Sequence, residues 1–540
     1  MLGALLLALA ALAHSARVPS SPFPVPLDGL NASASLLLFY ADGLSAADAL
    51  TLSALQGVAN RRRPTLARAV RGGAAELWLN ATRDLWGVSL NYSLAAAGLP
   101  ALIADLAPRL PLSGYVLCSL ADASANAAAA FAAARGALVV TRDNAALAAG
   151  AGLRLLADVT GRDWAWAAAQ VNGSAGFTFS RSVTTLQQPA KAPCCMTDYS
   201  VAFGALQWWE DDAGSAAAPW RALAPGFAAL GWGPDELGTV TAASRAGGAV
   251  VASDWASNLD VLSSFDVQAL AQRRPPPPPP QPQPQQPQQP AAHTVCFLMS
   301  DGDNVQFLLG GFATGAQWFG SPARGSVPMG WTLSAATADL APIVPHLLYA
   351  NASAVDGFVG GVSGAGYFYP DEVLAGGGAA RLAGLAALTA GAMAKADLRV
   401  LNVLARGDGV SAAAAESLLA QPQIEALVWY PFADYSGLRG AISWSSAGKP
   451  VIGGRFNLWG NGSDPAGPTF KNVSGLAAAL LSQARDPASP AGYSLVPVHA
   501  WSHSVGDVAQ VMELVRAGGG GVEAVTPEEF VQRVVANVKR

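Results

Sequence analysis

Residues 294–304, Thr-Val-Cys-Phe-Leu-Met-Ser-Asp-Gly-Asp-Asn, join a short apolar run to a loop that holds two carboxylates. The run is continuous and contains β-branched and aromatic residues, which is typical of a strand buried on both faces of a parallel sheet. The same pattern, an apolar run followed by reactive side chains, recurs along the C-terminal half of the chain. This repetition predicts the fold of that half.

Eight apolar runs lie in the C-terminal half, and segments with helical spacing separate most of them. The runs are residues 294–299, 329–333, 357–361, 398–404, 426–430, 450–453, 494–498 and 522–525. The clearest helices between them are predicted at 374–396 and 475–485. This alternation predicts an α/β domain over residues 292–540, a (β/α)8-like barrel of the TIM type. A seven-stranded or incomplete barrel fits the pattern equally well.

Reactive side chains follow the ends of these runs, which is where barrel enzymes have their active sites. We therefore expect the side chains to face one cleft. They are Asp301, Asp303 and Asn304 after the first run, Tyr367, Tyr369, Asp371 and Glu372 after the third, Arg455 and Trp459 after the sixth, and His499, Trp501 and His503 after the seventh.

The region before residue 270 alternates strand-like and helical segments, as small parallel α/β units do. Residues 36–40, 115–120 and 137–141 are predicted strands, and residues 45–60 are a predicted helix. No GxGxxG or Walker sequence follows these strands, so the sequence does not support a nucleotide cofactor. Prolines and glutamines dominate residues 273–291, which predicts a solvated linker because proline cannot join a helix or sheet core.

The start of the chain predicts a secretory signal. Residues 1–13 are mostly Leu and Ala, and Ala-His-Ser-Ala follows at 13–16, so a signal peptide is expected over residues 1–16. An uncleaved membrane anchor is an open alternative for this leader segment. No later segment has an uninterrupted apolar run of membrane-spanning length. With the glycosylation acceptors, this favours a glycoprotein that is secreted or delivered to a vacuolar or lysosomal lumen. The acceptors are Asn31, Asn80, Asn91, Asn172, Asn351, Asn461 and Asn472.

Charge and cysteine content exclude several classes of protein. The net charge is −5, which argues against nucleic acid as a partner, since phosphate binding needs a concentrated positive surface. The four cysteines lack zinc-ligand spacing. Cys194 and Cys195 are adjacent and are not expected to pair with each other, whereas Cys118 and Cys296 lie in strand-like runs and are expected to be buried thiols. The oligomeric state cannot be read from the sequence.

Residues 364–370, Gly-Ala-Gly-Tyr-Phe-Tyr-Pro, match the motif GxGYxYP, and the chain resembles the GxGYxYP putative glycoside hydrolase family. The resemblance covers nearly the whole chain except the leader and the proline tract. It implies three N-terminal units near 35–108, 111–175 and 195–270, a C-terminal domain, and activity on glycosidic bonds. Other segments that resemble the family are 55–61, 231–233, 252–259, 300–304, 330–332, Tyr430 and 499–502.

The functional hypothesis is a hydrolase of glycosidic bonds that uses two carboxyl groups and requires neither cofactor nor metal. The partner is a carbohydrate whose identity the sequence does not give. Catalysis is assigned to Asp301 and Asp303, with Glu372 or Asp371 from the third loop. Substrate contacts are assigned to Asn304, Tyr367, Tyr369, Asp371, Arg455 and His499, with Trp459 and Trp501 as walls for sugar rings.

Two alternatives belong to other classes. Asp301, Asp303, His499 and His503 offer two carboxylates and two imidazoles, a ligand set that zinc accepts in a metal-dependent carbohydrate deacetylase. The other alternative is a carbohydrate-binding protein that has the cleft without the chemistry.

Overall fold

The structure is a computed structural model, and it describes residues 21–24, 35–209, 218–265, 292–460 and 469–540. The predicted signal peptide and the proline-glutamine tract lie outside these residues. So do two of the seven glycosylation acceptors, Asn31 and Asn461.

Three small sheets made of parallel strands are described ahead of the proline tract. Their strands are β1 (Ser35–Tyr40), β2 (Leu66–Ala69), β3 (Ser89–Asn91), β4 (Gly114–Cys118), β5 (Ala137–Thr141), β6 (Leu155–Asp158), β7 (Val183–Leu186), β8 (Leu206–Trp208), β9 (Ala228–Gly231) and β10 (Ala249–Val251). The strand orders are β2-β1-β3, β5-β4-β6 and β10-β9-β7-β8. The third sheet therefore begins before residue 195, where the sequence predicts the third unit to start.

Helices cover these three sheets. The first begins after Ser45, whose hydroxyl accepts a hydrogen bond from the Asp48 N–H at 3.1 Å and so satisfies a donor in the first turn. The helices are Ala46–Asn60, Ala74–Trp86, Gly98–Leu106, Ser124–Arg135, Ala146–Gly150, Trp164–Val171, Thr197–Phe203, Ala218–Ala222, Glu236–Ala246 and Leu259–Leu262.

The C-terminal domain contains a sheet in which eleven strands are described. They are β11 (His293–Met299), β12 (Met329–Leu333), β13 (Asp356–Gly360), β14 (Val400–Ala405), β15 (Ala426–Pro431), β16 (Ile442–Trp444), β17 (Pro450–Gly453), β18 (Asn457–Leu458), β19 (Phe470–Lys471), β20 (Tyr493–Val498) and β21 (Val522–Ala524). All eight predicted runs are strands of this sheet.

The sheet curls like part of a barrel, but it does not close within the described residues. Its order is β16-β17-β15-β14-β13-β12-β11-β20-β18-β19, and β21 pairs with the first half of β11. All pairs are parallel except β16 with β17. A complete eight-stranded barrel is therefore not confirmed. The physical reason is that the two end strands of this order, β16 and β19, do not pair with each other among the described residues. The sheet therefore keeps two edges.

Helices pack on this sheet, and the longest follows the GxGYxYP loop. Pro370–Lys395 has the length and apolar composition of a membrane span, a test that core helices also pass, and it is the one helix of the described residues that does so. The sequence predicts no such segment after the leader. Within it Gly378 leaves helical geometry, and Leu382 and Met393 are buried in the core. The other helices are Val305–Phe307, Thr337–Leu340, Ile343–Ala350, Ala412–Leu419, Val473–Leu481, Val505–Ala517 and Pro527–Asn537.

A buried polar network joins the first and third N-terminal units. The Gln56 amide donates to Asn258 at 3.0 Å and to Asp260 at 2.9 Å, and Asn60 donates to Asp260 at 2.7 Å. Nearby, Arg68 forms an ion pair with Asp198 at 3.1 Å. The family-like segments 55–61 and 252–259 therefore meet in space, which gives both a structural explanation.

The cysteines follow the predictions only in part. Cys118 and Cys296 are buried free thiols, as expected. Cys194 and Cys195 form a disulfide, so the expectation that they do not pair is wrong. Their Cα atoms are 3.7 Å apart at a tight turn, in which the Cys194 N–H donates to the Lys191 carbonyl oxygen.

Candidate active site

A cavity of about 240 Å³ opens at the C-terminal ends of the strands of the large sheet. We call it the carboxylate cavity, because Asp301, Asp303 and Glu236 all line it. Polar side chains that follow different strands meet here, as the sequence pattern predicts. The other lining residues are Trp232, Ser300, Asn304, Gln306, Val362, Tyr367, Asn402, Leu404, Tyr435 and Trp501.

The loop after β11 is anchored to its neighbour, β12. Asp301 has a left-handed backbone with φ of 66°, which costs free energy for a residue other than glycine. The Gly302 N–H donates to the Thr332 hydroxyl at 2.8 Å, and the Gly302 carbonyl accepts from the Ser334 N–H at 2.6 Å. A Cβ at Gly302 would collide with the Thr332 carbonyl oxygen, so only glycine permits this approach. The Asp-Gly-Asp sequence thus fixes both aspartates relative to β12.

The two aspartates of this loop have different surroundings. Asp301 accepts a hydrogen bond from the Trp501 indole N–H at 2.8 Å and another from the Ser300 hydroxyl. Asp303 lines the cavity and is only partly exposed. This burial, followed by the negative charges of Asp301 and Glu236, raises the pKa of Asp303 well above its usual range. Asp303 therefore holds a proton at pH values where an ordinary carboxyl is ionised.

The third carboxyl group, Glu236, comes from the third N-terminal unit. It is the first residue of the helix Glu236–Ala246, which Asp235 caps by accepting the Gly238 N–H at 2.6 Å. One oxygen of Glu236 accepts a hydrogen bond from the Tyr367 hydroxyl at 3.0 Å. Burial raises the pKa of Glu236, the hydrogen bond from Tyr367 opposes this, and the charge of Asp301 adds to the increase. The result is a second carboxyl with a raised pKa in the same cavity.

The GxGYxYP loop brings Tyr367 to this cavity and docks on the third N-terminal unit. The backbones of Tyr367 and Val250 form an antiparallel bridge with N···O distances of 2.6 and 2.9 Å. Gly364 has φ of 108°, a conformation that favours glycine. The Tyr369 hydroxyl lies 3.1 Å from the Tyr367 hydroxyl, so Tyr369 supports Tyr367 from behind the lining. The motif therefore positions one tyrosine against Glu236.

Aromatic rings surround the carboxyl groups. Trp232 stacks on Tyr367, with ring centroids 6.3 Å apart, and the half-buried Tyr435 stacks on Tyr430 at 5.1 Å. Trp501 packs against Phe307 at 4.7 Å, and yet 52% of its surface is exposed. A flat indole at the rim of a polar cavity suits the apolar face of a sugar ring.

Two of the predicted carboxyl groups, Glu372 and Asp371, lie outside the cavity lining. Glu372 is 8% exposed and accepts hydrogen bonds from Arg245 at 2.6 Å and Arg406 at 2.7 Å. Burial alone would raise its pKa, but the two guanidinium groups outweigh burial and hold the pKa of Glu372 below its usual range. Asp371 accepts the backbone N–H groups of Arg406 and Gly407. These bonds give both carboxylates a structural explanation.

The predicted binding residues Arg455, Trp459 and His499 also lie outside the lining. The Arg455 guanidinium donates to the backbone carbonyl oxygens of Tyr493 and Pro490, each at 2.8 Å, and of Gly440 at 3.3 Å. Burial lowers the pKa of Arg455. Trp459 stacks on His499 with ring centroids 3.8 Å apart, and it contacts Tyr435 edge-on at 5.3 Å. Arg455 therefore ties loops together, while Trp459 and His499 lie behind a residue that lines the cavity.

The metal-site alternative requires Asp301, Asp303, His499 and His503 to converge. His503 instead lies 3.4 Å from Asp507, its neighbour on the following helix. In the part of the chain that the structure describes, no group of three or more His, Cys, Asp and Glu side chains has an arrangement that could hold a metal ion. The deacetylase alternative therefore gains no support from these residues.

Several lining residues are not among the positions that the sequence pattern selects. Glu236 ends the segment Gly-Trp-Gly-Pro-Asp-Glu at 231–236, whose first three residues already resemble the family, so a signal for it was present. Tyr435 lies just after β15, in the region where polar residues are expected. Gln306 and Asn402 carry no comparable signal, because one lies in a short helix and the other within a strand.

Three family models match the chain. They are described as the GxGYxYP putative glycoside hydrolase C-terminal domain at residues 291–534, the GxGYxYP_N second domain at 112–174 and the GxGYxYP third domain at 181–264. Together they cover more than half of the chain. The chain belongs to the GxGYxYP family. The resemblance inferred from the motifs is thus confirmed.

A solved structure resembles this GxGYxYP protein over almost its full length. It is a crystal structure described as a putative hydrolase from Bacteroides thetaiotaomicron VPI-5482, with a TM-score of 0.83 and 26% sequence identity. The match covers 96% of this chain and 98% of the other. A comparison with curated proteins gives no match. The GxGYxYP protein thus shares its mixed α/β fold with a protein described as a putative hydrolase.

Proposed function

We propose that this GxGYxYP protein is a glycoside hydrolase that cleaves its substrate in the carboxylate cavity. The observation that carries the proposal is the convergence of Asp301, Asp303 and Glu236, in unequal surroundings, on one small cavity. Cleavage of a glycosidic bond by two carboxyl groups needs one that is ionised and one that holds a proton. The family match and the hydrolase description of the similar structure support the same class.

Asp301 is the nucleophile or general base in this mechanism. Its two donors, the Trp501 indole and the Ser300 hydroxyl, orient the carboxylate in the cavity. It attacks the anomeric carbon or activates a water molecule that does so. These two hydrogen bonds hold the carboxylate in one position before substrate arrives, which reduces the cost of ordering it in the transition state.

Glu236 is the general acid. It has a raised pKa, and one of its oxygens is held by the Tyr367 hydroxyl, so the other oxygen is left to give a proton to the leaving group. It also comes from a different unit of the chain than Asp301, and carboxyl groups on separate elements are suited to flank a bond. Asp303, whose pKa is raised further by burial, donates a hydrogen bond to a substrate oxygen as a neutral acid.

Secretion is the second part of the proposal. It rests on the leader sequence and on the exposure of acceptor sites for glycans. Four of the five acceptors that the structure describes are exposed, and Asn80 is half-buried. The exposed ones are Asn91, Asn172, Asn351 and Asn472. Expression in a eukaryotic host tests this: we expect the protein in the medium, with a mass that falls after enzymatic removal of N-glycans.

Single amide substitutions test the catalytic assignment. Asp301→Asn, Glu236→Gln and Asp303→Asn are assayed on a panel of natural glycans and on aryl glycosides with a good leaving group. We expect Asp301→Asn to lose about a hundredfold or more on both kinds of substrate. Glu236→Gln should lose a similar factor on natural glycans but much less on the aryl glycosides, because a good leaving group needs no proton.

Each outcome of this experiment has a distinct meaning. If Asp303→Asn, and not Glu236→Gln, loses activity on natural glycans but keeps it on aryl glycosides, the general acid is Asp303. Undiminished turnover in all three variants would overturn the site. Wild-type binding of glycans without any turnover would favour the non-catalytic carbohydrate-binding protein. Thermal melting of each variant shows that lost activity does not come from lost folding.

A further inference from the structure

A second, smaller cavity lies beside the carboxylate cavity and shares one residue with it. Its volume is about 120 Å³, and its lining includes Trp78, Trp255, Asn258, Gln306 and Leu309. We call it the Trp255 cavity. Because Gln306 lines both cavities, they are adjacent sections of one surface. The first unit, the third unit and the loop after β11 all contribute to it.

Trp255 is the most exposed of the large hydrophobic side chains in the described part of the chain, with 58% of its surface accessible. It is nevertheless held in place. Its backbone N–H donates to the Gln306 side-chain oxygen at 2.7 Å. The Lys191 ammonium lies 4.7 Å from the centre of the indole ring and forms an ion pair with Asp254, the preceding residue. A fixed indole that the fold leaves uncovered is suited to pack against a flat apolar ligand surface.

Gln306 is close to two exposed indoles. It accepts the hydrogen bond from Trp255, and it lines the carboxylate cavity together with Trp501, which packs against its neighbour Phe307 at 4.7 Å. The Gln306 amide nitrogen has no hydrogen-bond partner among the residues that the structure describes, so its N–H groups are available to a ligand. A polar donor flanked by two flat apolar faces matches a sugar chain, whose units alternate apolar ring faces with hydroxyl groups.

We propose that Trp255 and Gln306 form a second sugar subsite, so that the substrate is a chain of several sugar units that spans both cavities. The inference rests on the proposed hydrolase function, since it extends the same cleft. The unit to be cleaved lies near Asp301 and Glu236, Trp501 covers the rim between the cavities, and a more distant unit stacks on Trp255. The occupant of the Trp255 cavity is the continuation of the substrate, because the two cavities share Gln306.

Binding measurements on an inactive enzyme separate this subsite from catalysis. The full-length Asp301→Asn protein is titrated with cello-, xylo-, manno- and malto-oligosaccharides of two to six units. We expect the affinity in at least one series to rise with chain length. Adding Trp255→Ala should remove most of that rise and lower the affinity for the hexasaccharide by about tenfold, since one aromatic face is lost.

Two further variants control the experiment. Tyr92→Ala removes an aromatic side chain that is 42% exposed but lies outside both cavities, and it should leave the chain-length dependence intact. Gln306→Glu keeps the oxygen that accepts from Trp255 but removes the amide donor, so it should weaken long chains while the melting temperature stays near that of the parent.

The outcomes distinguish the subsite from the proposed function. If Trp255→Ala binds the hexasaccharide as tightly as Tyr92→Ala does, the subsite is wrong, whether or not the wild type hydrolyses glycans. If chain-length dependence is lost as expected but the wild type shows no turnover, the subsite stands and the hydrolase proposal fails. Absence of binding in all four series overturns both.

Discussion

Asp303 and Glu372 are two largely enclosed carboxyl groups that follow strands of the same sheet, β11 and β13. Their pKa values nevertheless move in opposite directions, that of Asp303 upwards and that of Glu372 downwards. The difference lies in their partners. Two guanidinium groups hold Glu372, whereas carboxylates are the charged groups that act on Asp303. A buried acid is therefore a candidate for catalysis only when the fold leaves its charge uncompensated.

The same contrast occurs inside the N-terminal half. Asp198 and Asp260 are both fully buried near Arg68, but only Asp198 forms an ion pair with it. Burial and the charge of Asp198 raise the pKa of Asp260 to about 7. Asp260 lines neither cavity, and its neighbours Gln56 and Asn60 are structural. A raised pKa by itself therefore does not make a catalytic group, since access to a cavity is also required.

The largest effect that tests this comparison is on turnover. We expect Asp303→Ala to lower kcat by about a hundredfold or more, because it removes the hydrogen-bond donor that the neutral carboxyl offers to the substrate. Glu372→Gln should keep turnover close to that of the wild type, and it should lower the melting temperature because Arg245 and Arg406 lose their counter-ion. Steady-state kinetics and thermal melting of both variants measure these effects. Equal losses of turnover in the two variants would contradict the assignment of Asp303 to catalysis and of Glu372 to structure.

An intermediate effect concerns the pH profile. The Tyr367 hydroxyl lowers the pKa of Glu236 against the effect of burial, so Tyr367→Phe should raise that pKa further. Because the general acid must hold its proton, activity is lost as pH rises through the pKa of Glu236. The alkaline limb of kcat/KM should therefore shift to higher pH in Tyr367→Phe and disappear in Glu236→Gln. A shift to lower pH would contradict the assignment of Glu236 as the acid.

The smallest expected effect is on the pH dependence of stability, and it follows from replacing Asp260. The pKa of an aspartate in an unfolded chain is about 3.9, and that of Asp260 in the folded protein is raised to about 7. The fold therefore favours the protonated form. Its stabilisation is fully present below about pH 4 and is lost as the pH rises towards 7. We expect the melting temperature of Asp260→Asn to fall less than that of the wild type between these pH values.

A matched substitution checks the reason for that change. Asp198→Asn leaves Arg68 buried without its counter-ion, so it should destabilise the protein at neutral pH as well. If Asp198→Asn and Asp260→Asn have the same pH dependence, the two buried carboxyls are equivalent and the contrast between them is wrong.

Local patterns predicted the strands well, because each apolar run is buried on both faces and needs no information from distant residues. The run 329–333 and β12 coincide, as do the run 450–453 and β17. The long helix after the tyrosine motif was also predicted, at 374–396 against Pro370–Lys395. Closure of the barrel was not predictable in this way. It depends on whether the end strands β16 and β19 pair with each other, and neither strand's sequence carries that information.

The sequence by itself determined the family, through the motif at 364–370. It also predicted that Asp301, Asp303, Asn304, Tyr367 and Trp501 line one cavity, but together with residues that the structure keeps outside it. The prediction follows because parallel strands deliver the residues after their C-terminal ends to one edge of a sheet. Only the tertiary structure decided which further carboxyl faces them. Glu236 reaches the cavity because the third N-terminal unit docks on the tyrosine loop, and Glu372 is withheld because Arg245 of that same unit pairs with it. Charge compensation between distant segments is set by packing, which no local pattern records.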